Sequence, residues 1–73
     1  MNKYYIFLGQ DIKTDNCYLN LNLRENKYFV DSRREIGFAK TQFTFAETEA
    51  IRKQLSNLWI RDEDVIPVGD IDD

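Results

Sequence analysis

Residues 17–23, with the sequence CYLNLNL, alternate apolar and polar side chains and are the strongest structural signal in the chain. Side chains two positions apart on a β-strand share a face. Alternation of this kind is typical of an antiparallel sheet with one buried face and one solvated face. We therefore predict that the leucines are buried and that Tyr18, Asn20 and Asn22 are exposed.

Further strands are predicted on both sides of this run. Their predicted ranges are 3–8, 17–23, 27–31 and 64–68, with a short strand or an extended lead into a helix at 38–43. Residues 9–16 have the Gly, Asp, Thr and Asn content of a loop. A hairpin joins the second and third strands, with Asn26 as the residue of positive φ. Pro67 lacks an N–H donor and is expected at a sheet edge.

A helix is predicted after the sheet residues. Thr44-Phe45-Ala46-Glu47 matches a capping box, in which the Thr and Glu side chains each accept a hydrogen bond from a free backbone N–H. An apolar stripe of helical spacing follows, formed by Ile51, Leu55 and Leu58. We predict a helix over about 45–57 and an α+β fold. A small antiparallel sheet of three to five strands carries this helix on one face, in the order β-β-β-(β)-α-β.

With 73 residues the chain is predicted to be a single domain with a frayed acidic end at 69–73. Aromatic side chains are expected to supply most of the core and its rim: Phe7, Phe29, Phe38, Phe43, Phe45, Trp59 and four tyrosines. Trp59 is predicted to seal the contact between helix and sheet. If it is exposed instead, it becomes a natural anchor for a partner.

The amino-acid composition limits the catalytic and metal-binding chemistry that the chain can perform. The chain has no histidine and one cysteine, which excludes an internal disulfide and disfavours nucleophilic catalysis. Cys17 is expected to fill the core. The glycines of the chain are isolated, so no phosphate-binding loop is predicted. The carboxylates lack the spacing of a calcium-binding loop. We predict no catalytic residue, no cofactor and no metal site.

The net charge of −3 is distributed unevenly along the chain. Residues 1–40 carry seven Lys and Arg against five Asp and Glu, whereas residues 41–73 carry three against eight. Asp62, Glu63 and Asp64 belong to this acidic part, which either solubilises the protein or faces a basic partner. No secretory leader or run of about 20 apolar residues is evident, so we expect a cytoplasmic protein without a membrane partner.

Basic residues form the opposite candidate surface. Arg33 and Arg34 are predicted to lie near Tyr18 and Tyr28, and the remaining members are Arg24, Lys27 and Lys40. Phosphate neutralisation with base stacking on aromatic rings is how sheet surfaces bind single-stranded nucleic acid. The acidic balance of the whole chain argues against this interpretation.

Four short motifs carry a family resemblance: YLN at 18–20, KYF at 27–29, AKTQFT at 39–44 and VIPV at 65–68. The chain resembles small uncharacterised phage and prophage proteins of Gram-positive bacteria. These motifs are structural and none is catalytic, so the resemblance implies a phage or prophage setting in a bacterial cell and not a mechanism.

The leading prediction is a non-enzymatic phage or prophage accessory protein that binds another protein. The candidate interaction residues are Tyr18, Asn20, Asn22, Tyr28, Arg33, Arg34, Trp59, Asp62, Glu63 and Asp64. A homodimer formed through an open sheet edge is a second partner prediction. The alternatives are a nucleic-acid-binding protein that uses the basic residues and tyrosines, and an acidic mimic of nucleic acid.

Overall fold

The computed structural model describes residues 2–8 and 17–70, and within them the chain has an α+β fold. The elements are β1 Tyr4–Ile6, β2 Tyr18–Asn22, β3 Lys27–Asp31, β4 Ala39–Lys40, α1 Phe45–Gln54 and β5 Val65–Pro67. Single 3-10 turns occupy Ser56–Leu58, Asp62–Asp64 and Val68–Asp70. This order confirms the predicted fold class. The predicted loop at 9–16 and the last residues of the predicted frayed end lie outside the described residues.

The five strands form two antiparallel sheets, where one was predicted. One sheet has the order β3-β2-β4, and the other pairs β1 with β5. Isolated bridges between Tyr4 and Phe43 and between Phe7 and Tyr18 connect the β1 segment to the three-stranded sheet. Pro67 lies opposite Tyr4 at the end of the two-stranded sheet, as its missing N–H requires.

The β2–β3 hairpin agrees with the prediction. Asn26 has φ 56°, and its N–H donates to the Asn22 carbonyl at 2.7 Å. The Asn22 side chain also accepts hydrogen bonds from the backbone N–H groups of Arg24 and Glu25, each at 3.0 Å. These hydrogen bonds hold the turn in place. Asn22 is half-buried, whereas the alternation predicted that it is exposed.

The start of α1 also agrees with the prediction. The Thr44 hydroxyl accepts from Glu47 N at 3.2 Å, and the Glu47 carboxylate accepts from Thr44 N at 2.8 Å. The helix ends at Gln54, three residues earlier than predicted, and a 3-10 turn continues it.

The core lies between α1 and the two sheets. Its buried members are Ile6, Leu19, Phe43, Ile51 and Ile60, with Leu8, Leu21, Tyr28, Leu55 and Val65 packed around them. The expectation that aromatic residues supply the core is confirmed for Tyr5, Tyr18 and Phe43, which are buried. It is wrong for four others, which are exposed: Phe29, Phe38, Phe45 and Trp59.

The largest departure from the sequence pattern is the burial of side chains on the face of β2 that carries Tyr18, Asn20 and Asn22. Tyr18 and Asn20 are buried, although alternation predicted that both are exposed. The Tyr18 ring packs against the rings of Tyr5 and Phe7, with centroids 5.6 and 4.9 Å apart. Rings of the neighbouring β1 segment therefore replace solvent around Tyr18. Leu23 shows the converse, because it follows the last residue of β2 and is exposed.

Asn20 holds the segment after β3 against the sheet. Its side-chain N–H groups donate to the carbonyls of Tyr18 and Ser32 at 3.0 and 3.1 Å. The same segment is fixed by Thr41, whose hydroxyl donates to the Arg33 carbonyl at 2.7 Å. Glu35 accepts from Thr41 N at 2.8 Å. Every buried polar side-chain atom in the described residues has a hydrogen-bond partner.

Replacement of Asn20 by Ala tests this contact. We expect the free energy of unfolding to fall by about 1–3 kcal/mol, because the substitution leaves a buried carbonyl without its donor. Asn57→Ala, at an exposed position, is the matched control and should change stability by less than about 0.5 kcal/mol. Urea unfolding followed by circular dichroism measures both. Equal effects of the two substitutions would contradict the role of Asn20.

The Lys40–Glu47 ion pair predicts a pH dependence of stability. The Lys40 ammonium lies 2.7 Å from the Glu47 carboxylate and lowers the pKa of that group below its ordinary value of 4.5, and the Thr44 N–H lowers it further. The charged form is therefore favoured in the folded state. Its contribution is present above the unfolded pKa and is lost as the pH falls through the folded pKa.

We expect Glu47→Gln to reduce stability at pH 6. The difference in stability from the parent should start to shrink near pH 4.5 and be lost as the pH falls through the lower pKa of the folded state. Glutamine can still accept from Thr44 N, so the comparison isolates the charge. Urea midpoints measured from pH 6 to pH 3 test this. Lys40→Met should flatten the same profile, and a parent profile identical to that of Glu47→Gln would argue against the ion pair.

Candidate functional site

Trp59 is the most exposed of the large apolar residues that the structure describes, with 81% of its surface accessible to solvent. It follows the Ser56–Leu58 turn in the left-handed conformation, at φ 53° and ψ 47°. This conformation reverses the chain so that Ile60, the next residue, enters the core. The prediction that Trp59 seals the contact between helix and sheet is wrong for this reason.

A groove of ≈ 650 Å³ runs beside Trp59. Leu8 and Ile60, which belong to the core and its margin, contribute apolar lining. Leu58 and Trp59 also line the groove and are themselves exposed. Sequence periodicity placed Leu58 on the buried stripe of a longer helix, but the helix has ended before this residue. The Ser56-Asn57 pair, which weakens a helix, is the only local signal that Leu58 and Trp59 leave the core.

Two arginines border this groove, and each is paired with carboxylates. Arg52 lies 2.7 Å from Asp62 and 3.8 Å from Glu49. Arg61 lies 3.1 Å from Glu63. Since Arg61 also bonds Asp64, these two arginines are paired with four carboxylates. Of these, Asp64 lines the groove itself, whereas Asp62 and Glu63 are exposed outside its lining.

A second apolar depression lies on the other side of Arg52, which lines both. Its apolar lining comes from Tyr4, Phe45 and Val65, and the rings of Tyr4 and Phe45 meet edge to face with centroids 6.1 Å apart. The Arg52–Asp62 ion pair therefore stands between two exposed apolar regions. No sequence pattern connects these residues, because they come from the two ends of the chain and from α1.

The acidic triplet does not form one exposed surface. Asp62 is 95% exposed in its side chain, and Glu63 is also exposed. Asp64 is buried, and its carboxylate accepts from the backbone N–H of Arg61 at 3.0 Å. Asp64 was predicted as an interaction residue, and this burial contradicts that prediction. Its local role is to cap the Asp62–Asp64 turn.

The predicted basic and aromatic surface is not assembled as a stacking platform. Tyr18 is buried, and the Arg33 guanidinium lies 6.0 Å from the centroid of its ring. Tyr28 is half-buried and packs against the core. Lys40 is paired with Glu47, whereas Arg34 is exposed. Tyr18 and Asn20 are consequently withdrawn from the candidate interaction surface.

Catalytic chemistry has few candidate groups here. Cys17, predicted to fill the core, is half-buried. Within residues 2–8 and 17–70, no group of three or more Asp, Glu or Cys side chains could hold a metal ion. In the same part of the chain, no helix has the length and hydropathy needed to cross a membrane.

In comparisons with known proteins, no family model matches this chain, and no match is found among curated proteins or solved structures.

Asp64 and Asp62 provide a matched pair of substitutions. We expect Asp64→Ala to lower the free energy of unfolding by about 1–3 kcal/mol, because the partly buried N–H of Arg61 loses its acceptor. Asp62→Ala removes an ion pair of an exposed carboxylate and should cost less than about 1 kcal/mol. Thermal and urea unfolding measure the difference. A larger loss for Asp62 than for Asp64 would contradict the assignment of Asp64 to the fold.

Proposed function

We propose that this chain is a non-enzymatic protein-binding module whose contact surface is centred on Trp59. The observation that carries this proposal is the conformation and exposure of one side chain. The Trp59 residue is 81% exposed, and its backbone adopts the left-handed conformation. The exposed indole adds little to the packing of the isolated protein.

The backbone at Trp59 supports the proposal. A left-handed residue other than glycine costs roughly 1–2 kcal/mol, and residues held in such conformations concentrate at functional sites. An exposed indole recovers little of this cost through burial, because most of its apolar surface stays in water. A binding partner that covers the ring would bury this apolar surface and so offset the conformational cost. Tryptophan is also among the side chains that contribute most to protein–protein affinity.

The surroundings of Trp59 define the chemistry of the partner. The groove offers apolar lining from Leu8, Leu58 and Ile60, and the two arginines that line it are paired with four carboxylates, which outnumber them. Complementary charge across an interface favours encounter and fixes orientation. We therefore assign to the groove a basic protein segment that inserts an apolar side chain beside Trp59.

The wider setting belongs to the same proposal. The short motifs that resemble phage and prophage proteins support an accessory role in a bacterial cytoplasm. The absence of histidine disfavours an enzyme, since a general base with a suitable pKa is difficult to supply without it. Binding of nucleic acid through the tyrosines receives less support, because Tyr18 is buried.

Substitutions at Trp59 separate binding from stability. We expect Trp59→Gly to raise the free energy of unfolding by up to about 1 kcal/mol, because glycine adopts positive φ without steric cost. Trp59→Ala should leave stability nearly unchanged. Both should weaken partner binding by at least about tenfold. Phe38→Ala is the control, because it removes an exposed ring that does not line the groove.

The first binding measurement uses the fluorescence of Trp59, which is the only tryptophan in the chain. The probe is an amphipathic peptide of Leu and Lys, compared with the same peptide carrying Glu in place of Lys. We expect the basic peptide to shift the emission of Trp59 to the blue and to bind more weakly as salt is added. The acidic peptide should do neither.

Isolation of partners from lysate, with and without nuclease, extends the test to natural targets. A partner that is retained by Phe38→Ala, lost with Trp59→Ala and insensitive to nuclease agrees with the proposal. Equal response of Trp59 to the two peptides, or partners that persist in Trp59→Ala, would overturn it.

A further inference from the structure

The outer edge of β3 is open in the part of the chain that the structure describes. β3 is the terminal strand of the order β3-β2-β4, and Lys27, Phe29, Val30 and Asp31 are exposed on it. Natural proteins commonly protect such edges with a proline, a bulge or very short length. β3 has no proline, pairs with β2 over five consecutive residues without a bulge, and exposes an aromatic and a β-branched residue.

The other edges differ in this respect. β4 has two residues, and β5 contains Pro67. The longest open edge thus lacks the proline and the short length that protect β5 and β4, and its exposed charges, Lys27 and Asp31, lie at its two ends. An unprotected edge presents a row of backbone donors and acceptors to another strand.

We propose that β3 pairs with β3 of a second copy of this chain, antiparallel and centred on Phe29. The charged residues of β3 favour a second copy of the chain as the pairing partner. Lys27 and Asp31 lie two residues on either side of Phe29. Antiparallel self-pairing about Phe29 places Lys27 of one copy opposite Asp31 of the other. The two-fold axis repeats that pair at the other end.

The faces of the strand agree with this register. Lys27, Phe29 and Asp31 share one face, so the two opposite-charge pairs flank a contact between the two Phe29 rings. Phe29 is 39% exposed and Val30 50% exposed in the single chain. In the paired register, Val30 lies opposite Tyr28 of the second copy on the other face. A shift by one residue would move every side chain to the wrong face.

The result is a six-stranded sheet with the order β4-β2-β3-β3-β2-β4. A five-residue strand pair buries less surface than a standard interface, and such small interfaces belong to weak complexes. The dimer therefore forms in a concentration-dependent equilibrium, between about 10 μM and 1 mM. Trp59 is absent from the paired strand, so this inference and the proposed function fail independently.

Charge reversal tests the register. In homodimers of Lys27→Asp or Asp31→Lys, both charged pairs become like charges, and we expect dimerisation to weaken at least about tenfold. An equimolar mixture of these two variants restores both opposite-charge pairs in the heterodimer. The double variant Lys27→Asp/Asp31→Lys restores them in a homodimer. Sedimentation velocity over a concentration series measures each case, with circular dichroism to confirm folding.

The mixture and the double variant also control for local damage, because Asp31 accepts a hydrogen bond from Ser32 N at 2.8 Å that lysine cannot accept. Recovery of dimerisation in both supports the proposed register. Phe29→Lys places two ammonium groups at the axis and should abolish the dimer. A parent chain that stays monomeric at 1 mM, single variants that dimerise like the parent, or a mixture that does not recover would each overturn the proposal.

Discussion

The two hydrogen bonds of the Asn20 amide are the constraint on which the layout of this fold depends. One joins the central strand β2 to the Ser32 carbonyl in the segment that leaves β3, and the other returns to the Tyr18 carbonyl within β2. Only 1% of Asn20 is exposed to solvent. With this segment held against the sheet, β4 can pair with the other side of β2 and lead directly into the cap of α1. The helix then places Ile51 on the core.

Local backbone chemistry was readable from the sequence. The hairpin with Asn26 at positive φ and the capping box of Thr44 and Glu47 both depend on residues close together in the chain. Strand positions and the α+β class followed from alternation and from the helix cap. These features require only that each residue type meets a backbone need within a few positions.

Burial on β2 was not readable in the same way. Alternation assigns water to the polar side of a strand, and only the three-dimensional arrangement shows that β1 and the segment after β3 cover Tyr18 and Asn20. The candidate site was predicted only in part, for a related reason. Trp59 was a candidate interaction residue, as an anchor if exposed, although an aromatic residue after a helix more often fills a core. Leu8 and Arg52 were not predicted, because they meet Trp59 only through tertiary contacts.

The pairing of β1 with β5 has a consequence for the order in which the chain folds. Val68 N donates to the Lys3 carbonyl at 3.0 Å, so this contact closes a loop that contains nearly the whole described chain. Contacts between distant residues carry the largest entropic cost and slow folding. The β2–β3 hairpin and α1 have short-range contacts and are expected to form earlier. Leu8 follows β1 and Ile60 precedes β5, so the groove at Trp59 is completed only in the last step.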